Sequence, residues 1–443
     1  MDTYVPSDYG VHVTQPSFTG VSGGGRFPIA TIDEDNARYL IVSVFNNAAG
    51  RETLADLATS AEDLGLVWMG TLADALLRAE IPNFRFADRL PHRFALLQIQ
   101  SGSEAQALRD LFRFECRQTR KGKQEFLAVE PDYSLHYFAA QKIGANFDLD
   151  AKGSSHDSYL GILKVDDAHN NKICGKGVTV AVVDSGIEKS GIATKFRDLQ
   201  APANQTETDQ NGHGTAMATI ICAVAPDATV AAIRISDGYP RMWKLMLGVS
   251  AASMAHTADI INISMGLDSI PVACAQCGAS SPGLSNNLEF FLDDISQTAI
   301  GSNGPPLLMA STGNDASSSD FSCPAKWDST VAVGAINQGM ARSQFSNYGN
   351  TSHPAFFVMP GGDVDAQGNA SEWTGKGDDS ECFGTSPATA YASGILALYA
   401  SDADYQNTNR KDFLDEVLKK CDSTFNGYKP AEHGKGFLPY KKK

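Results

Sequence analysis

Three polar positions in this 443-residue chain carry side chains that could act together on a carbonyl. The first is Asp184, in Val182-Val183-Asp184-Ser185-Gly186-Ile187, where an acid follows an apolar run and Gly186 lets the chain turn sharply behind it. An acid in that place is equally a helix cap or part of a phosphate site. The second is His213, in Asn211-Gly212-His213-Gly214-Thr215, whose flanking glycines let a substrate backbone come close to the ring. Without partners, a histidine at a helix start is more often structural. The third is Ser386, in Phe383-Gly384-Thr385-Ser386-Pro387-Ala388, at the head of a small-residue helical run. A serine there is usually an N-cap, and Pro387 suits a first turn that has no use for its missing N–H. The same place also has a chemical use, because the positive end of a helix stabilises an oxyanion forming beside Ser386. Each motif is ambiguous alone. Taken as a set, they are much less so.

These groups need a scaffold, and the sequence has one. Nearly all-apolar runs at Val178–Val183, Val230–Ile235, Ile260–Ile263, Leu307–Ala310 and Val331–Val333 read as strands covered on both faces. Helical stretches fall between or after them at Gly214–Val224, Trp243–Ala255 and Thr389–Tyr399. Such alternation predicts a doubly wound, mostly parallel α/β domain over residues 159–443, with functional groups at the carboxyl ends of its strands. Before it, Arg38–Phe45, Arg93–Gln100 and Glu125–Val129 read as strands, and Glu52–Leu64 and Glu104–Phe114 as helices. That order predicts a small α+β domain of ferredoxin-like type over 35–140. Residues 1–34, rich in Gly, Ser, Pro and Thr, read as a flexible arm, and the polar stretch 141–158 as a linker.

The order Asp184, His213, Ser386, at spacings of 29 and then 173 positions, resembles the subtilisin-like family of serine proteases (subtilases, peptidase family S8). Further segments share the likeness. Ala310-Ser311-Thr312-Gly313-Asn314 resembles the strand end whose asparagine donates to the oxyanion, and Ile263-Ser264-Met265-Gly266 the strand that pairs with substrate backbone. Cys323–Ser329 with Val331–Ala335 resembles the far side of the S1 pocket, and His433–Gly436 the closing strand. The resemblance implies a serine endopeptidase with Asp184, His213 and Ser386 as its triad. It implies an oxyanion hole formed by Asn314 and the Ser386 N–H, and a substrate cleft lined by Ser264, Met265, Gly266, Ala310, Ser311, Thr312 and Gly313. No cofactor enters that chemistry. Family members often bind structural calcium, but no ligand loop for it is evident. One departure stands out: the family usually continues Gly-Thr-Ser with Met-Ala-x-Pro-His, and this chain reads Ser386-Pro387-Ala388-Thr389-Ala390-Tyr391.

The N-terminal domain resembles the inhibitory propeptides of the same family (inhibitor I9-like), which chaperone folding and plug the cleft. Val129–Ala140 is similar to the acidic-to-aromatic stretch that lies across the active site, which implies a zymogen that cuts itself after Phe138 or nearby before Leu160. The alternatives are a catalytically weak peptide-binding module and a dedicated regulatory protease acting on one intracellular partner.

The formal charge of −15 disfavours nucleic acid, and no recognition motif for it is present. No apolar run is of membrane-spanning or signal-peptide length, so the expectation is a cytoplasmic protein, with a leaderless or secreted one as the alternative if the N-terminus is incomplete. Eight cysteines without a signal peptide read as reduced thiols, and Cys274-Ala275-Gln276-Cys277 as a loop rather than a metal or redox site. The partners expected are a polypeptide substrate and the chain's own N-terminal domain as intramolecular inhibitor.

Overall fold

The computed structural model describes residues 39–442 apart from 46, 82–89, 101–105, 112, 115–125, 134, 139–141, 189–191, 193–194, 201–204, 237–239, 255–256, 268–271, 274–279, 282–284, 299–303 and 406–407. The arm 1–34 and the cysteines Cys116, Cys274 and Cys277 therefore lie outside the described residues. Cys174, Cys222, Cys323, Cys382 and Cys421 carry free thiols.

The N-terminal domain is an antiparallel sheet of β1 (Tyr39–Val44), β2 (Leu66–Thr71), β3 (Phe94–Ile99) and β4 (Phe126–Pro131), in the order β2-β3-β1-β4. Helix α1 (Ala48–Ser60) is capped by Asn47, whose side chain accepts from Gly50 N–H at 2.8 Å. Helix α2 (Leu72–Arg78) is closed by a reciprocal Thr71–Asp74 capping box. Strand β1 is apolar except at the buried Ser43, because both its faces are covered. Leu40, Val42 and Val44 pack with Leu54 and Leu57 of α1, while Ile41 points the other way.

Strand β2 and helix α2 do not follow from the sequence reading. The Leu66–Thr71 strand alternates poorly, with Trp68 and Gly70 at a register shift against β3, so its period-2 signal is blurred.

The larger domain is built on a seven-stranded, wholly parallel sheet. In chain order its strands are β6 (Thr179–Asp184), β7 (Lys195–Asp198), β8 (Thr229–Arg234), β9 (Ile260–Ile263), β11 (Leu307–Ser311), β12 (Val331–Ile336) and β13 (Phe356–Pro360). Their order across the sheet is β13-β12-β11-β9-β6-β8-β7. Two two-residue strands, β5 (His136–Tyr137) and β10 (Met265–Gly266), pair with each other outside it. The sheet is the doubly wound α/β type expected, with β7 and β13 in addition.

Helices α3 (His156–Ile162) and α4 (Val165–Asn170) precede this sheet. One of its faces carries α5 (His213–Val224) and α8 (Thr385–Ser401), and the other α6 (Met242–Met254) and α7 (Asn286–Gln297). Helices α5 and α8 are apolar or small nearly all round, as helices buried in the middle of a domain must be.

The core under α6 and α7 does not end at the domain boundary. Ile41, Leu72, Leu76 and Phe94 of the N-terminal domain share one apolar cluster with Met246, Leu288 and Phe291. The stretch read as a linker, 141–158, is fastened to the larger domain wherever it is described. Ile143 and Phe147 are buried in its core, and Asp148 exchanges backbone hydrogen bonds with Lys376 at 2.9 and 3.0 Å. Two apolar residues four apart are enough to anchor an otherwise polar segment.

Candidate active site

Asp184 ends β6, the strand from which the chain proceeds first to one side of the sheet and then to the other. Ligands of doubly wound sheets collect at such a switch point. Its carboxylate is fully buried, and Oδ1 accepts from His213 Nδ1 at 2.8 Å and from Ser185 N–H at 2.7 Å. A proton held on Nδ1 leaves Nε2 as the basic nitrogen of the imidazole. Nε2 is buried and has no hydrogen-bond partner.

Ser386 is the second residue of α8, so its N–H is one of the helix-start donors without a partner inside the helix. That N–H donates to the Phe138 carbonyl at 2.8 Å. The Ser386 hydroxyl donates to the Ser264 carbonyl at 2.9 Å, away from His213 Nε2. Asn314 is held by its oxygen, which accepts from Thr385 N–H at 3.0 Å and Thr385 Oγ1 at 2.9 Å. This fixes the amide's orientation and leaves buried Nδ2 as a donor with no hydrogen-bond partner.

The segment Leu135–Phe138 enters this site as an extended strand. β5 runs antiparallel to β10, with Tyr137 opposite Met265 and His136 opposite Gly266, and Phe138 N–H donates to Ser264 O at 3.1 Å. Phe138 is buried, and its ring edge lies 2.9 Å from where a side chain on Gly266 would begin. The Cys323 carbonyl lies only 1.8 Å from that same point, so no residue but glycine fits between pocket and strand. Cys323 thus stands beside the pocket, and its carbonyl accepts from Leu267 N–H at 2.9 Å. The Tyr137 ring stacks on His213, centroids 4.5 Å apart. Leu135 is fully buried and its N–H donates to Pro240 O at 2.7 Å.

Of the other sequence-selected residues, Ser264, Met265 and Gly266 touch the inserted strand directly. Ala310 and Ser311 end β11 behind them. Thr312 N–H goes to Val333 O at 3.0 Å, and Gly313 N–H to Thr385 Oγ1 at 3.3 Å. The second pair brace Asn314 and the start of α8.

The departure at the serine helix is accommodated. Pro387 is the third residue of α8, where no helical donor is lost. Tyr391 hydrogen-bonds His156 Nδ1 at 2.6 Å, so α3 and α8 are pinned together behind Ser386. Burial lowers the His156 pKa below its ordinary value. The sequence reading missed Ser185 and His156, and only their places beside Asp184 and at the start of α3 could have pointed to them.

Two carboxylates seat the N-terminal domain on the larger one. Glu130 accepts from Asn286 N–H at 2.7 Å and Ser285 Oγ at 2.8 Å, capping α7. Asp132 accepts from Trp243 N–H at 2.8 Å at the start of α6. Both oppose the positive helix ends. Burial nevertheless pushes the Glu130 carboxyl above its ordinary range and lifts Asp132 to about 6.

Residues 175–421 match the model of the subtilase family (Peptidase S8). The chain belongs to the subtilase family. It is 28% identical to Subtilisin BL of Lederbergia lenta over 270 residues, which is 58% of this chain and 89% of that protein. It is likewise 28% identical over 295 residues to Subtilisin of Bacillus pumilus and to Subtilisin NAT of Bacillus subtilis subsp. natto. Those matches cover 62% of this chain and 94% and 68% of the two relatives. The family assignment makes this subtilase a serine endopeptidase by descent. The family match begins at residue 175, so the character of the N-terminal domain rests on its own geometry. Among the described residues, no group of three or more His, Cys, Asp or Glu is placed to hold a metal ion, and no helix is long and apolar enough to cross a membrane.

Proposed function

We propose that this subtilase hydrolyses peptide bonds through Asp184, His213 and Ser386 and is made in a self-inhibited form that cuts itself after Phe138. The observation that carries this reading is the Phe138 carbonyl on the Ser386 N–H, reached by a strand paired antiparallel with Met265–Gly266. A peptide held that way presents its P1 carbonyl to the nucleophile.

In the reaction the Ser386 hydroxyl turns from Ser264 O toward His213 Nε2, which takes its proton as the oxygen attacks the carbonyl carbon. Asp184 holds the proton on Nδ1 and stabilises the imidazolium. The developing oxyanion is met by the Ser386 N–H and the free Nδ2 of Asn314. His213 then gives its proton to the leaving amine, and water releases the acyl group by the same steps in reverse.

The residues already in the cleft suggest the preferred substrate: a polypeptide with a large aromatic side chain at P1, an aromatic at P2 and leucine at P4. Residues 35–140 are then an intramolecular inhibitor. Intact masses of the purified wild type and of Ser386→Ala test the reading. A wild type split near residue 138 beside an intact variant supports it, and two proteins of full-length mass overturn self-cleavage.

A second reading, a module that holds peptides without cutting them, draws on the Ser386 hydroxyl facing Ser264 and the unbonded His213 Nε2. Covalent labelling of Ser386 by a fluorophosphonate rejects it.

A further inference from the structure

We propose that Asp209 is a positioning residue for His213, closing the turn that delivers the imidazole to Asp184 and Ser386. The inference deepens the triad reading above and rests on His213 acting as its base. Helix α5 begins at His213 itself, and the preceding Gly212, at φ +84°, provides no side-chain cap. The turn is closed instead from four residues upstream. Asp209 is buried, with 1% of its surface exposed. Its Oδ1 accepts from Gly212 N–H at 2.8 Å, and its Oδ2 accepts from Thr215 N–H at 2.8 Å and Thr215 Oγ1 at 2.7 Å. Three donors from the two residues on either side of the His213–Gly214 pair therefore converge on one carboxylate. Hydrogen bonds to an ionised acceptor are short and strong, and two oxygens filled at once fix direction as well as distance.

The same clamp reaches the loop that carries Asp184. Thr215 Oγ1 accepts from Glu188 N–H at 3.1 Å, and Gly214 N–H donates to Ser185 Oγ at 2.9 Å. Ser185 in turn donates to Asp184 through its backbone N–H and its hydroxyl. The turn is also held from outside, because Gly144 N–H donates to Asn211 O at 2.9 Å and the Gly144 carbonyl fills the place of a Gly212 side chain. Asp209 thus sets the position of the imidazole relative to Asp184 without touching either the ring or a substrate.

The test is turnover per fluorophosphonate-titrated active site in full-length Asp209→Ala, Asp209→Asn and Thr215→Val. Asp209→Ala is expected to lose about 100-fold in kcat, the scale on which small misplacements of a reacting group act, with KM nearly unchanged. Asp209→Asn keeps one acceptor in place of two and is expected to lose less, and Thr215→Val, which removes only one of three donors, less again. A purely structural role lowers the number of titrated sites and leaves turnover per site at the wild-type value, which overturns the proposal. If Asp209→Ala does not fold, the Asp209→Asn and Thr215→Val variants decide on the same readout. The low-field proton resonance of His213 Nδ1, measured in the Ser386→Ala background, supplies a readout without catalysis. It is expected to shift when Asp209 is replaced, and an unmoved resonance counts against the proposal. If wild type takes up no fluorophosphonate, the peptidase reading fails while the resonance still reports on Asp209.

Discussion

The Phe138 carbonyl oxygen and the Ser386 backbone N–H are 2.8 Å apart, so the chain's own strand ends on the first turn of α8. Replacing Phe138 by Asp should halt processing, because the side chain here is buried beside Gly266 and a carboxylate placed there must give up its hydration. Phe138→Leu should still be cut. N-terminal sequencing of the larger fragment reads both outcomes, and efficient cutting of the Asp variant at the same bond would reject the pocket assignment.

Asn314→Ala should lower kcat by about 10²–10³-fold while leaving KM nearly unchanged, the effect known for removing the equivalent donor from subtilisin itself. Steady-state kinetics on a chromogenic peptide ending in Tyr-Phe would measure it. A rise in KM at constant kcat would place the Asn314 amide in ground-state binding instead.

Docking of the N-terminal domain should weaken as pH rises through about 6. Asp132 binds its proton more tightly when docked than when free, so docking takes up a proton. The linked stabilisation is fully present below the ordinary aspartate range and is lost as the docked carboxyl ionises. Trp243 is buried and its N–H bonds Asp132, so its fluorescence in full-length Ser386→Ala reports the contact between pH 5 and 8. In Asp132→Asn the dependence should flatten, and an unchanged slope would assign it to another group.

Tyr391→Phe should cost about 1–3 kcal/mol, because His156 Nδ1 then loses its buried partner. Scanning calorimetry on Ser386→Ala would show this as a lower Tm without interference from self-cleavage. The same scans should show stability falling as pH drops below the ordinary imidazole range. His156, His353 and His433 all have pKa values lowered by burial and must take up protons on unfolding.

The three candidate triad positions stood out in the sequence because each sits in a short motif dense in glycine, whose close approaches leave little choice of residue. The strands of the larger sheet were legible because burial on both faces makes them continuous apolar runs. Strand β7, Lys195–Asp198, was not, since its exposed edge position lets Lys195 and Arg197 break the apolar pattern. Helix α7 was hidden for another reason. Its buried set, Leu288, Phe291, Leu292 and Ile295, is spaced correctly but interrupted by Glu289, Asp293 and Asp294 on its open side. Asp209 carries no local signature at all. Its role arises only when the turn folds back to bring Gly212 and Thr215 onto one carboxylate.

The apolar cluster that joins Ile41, Leu76 and Phe94 to Met246 and Phe291 makes the seam between the two domains dry, and this governs how the protein can be handled. Produced without residues 39–131, helices α6 and α7 would turn a contiguous oily surface toward water. Such a truncated chain should bind hydrophobic dyes and precipitate where the full-length protein stays in solution.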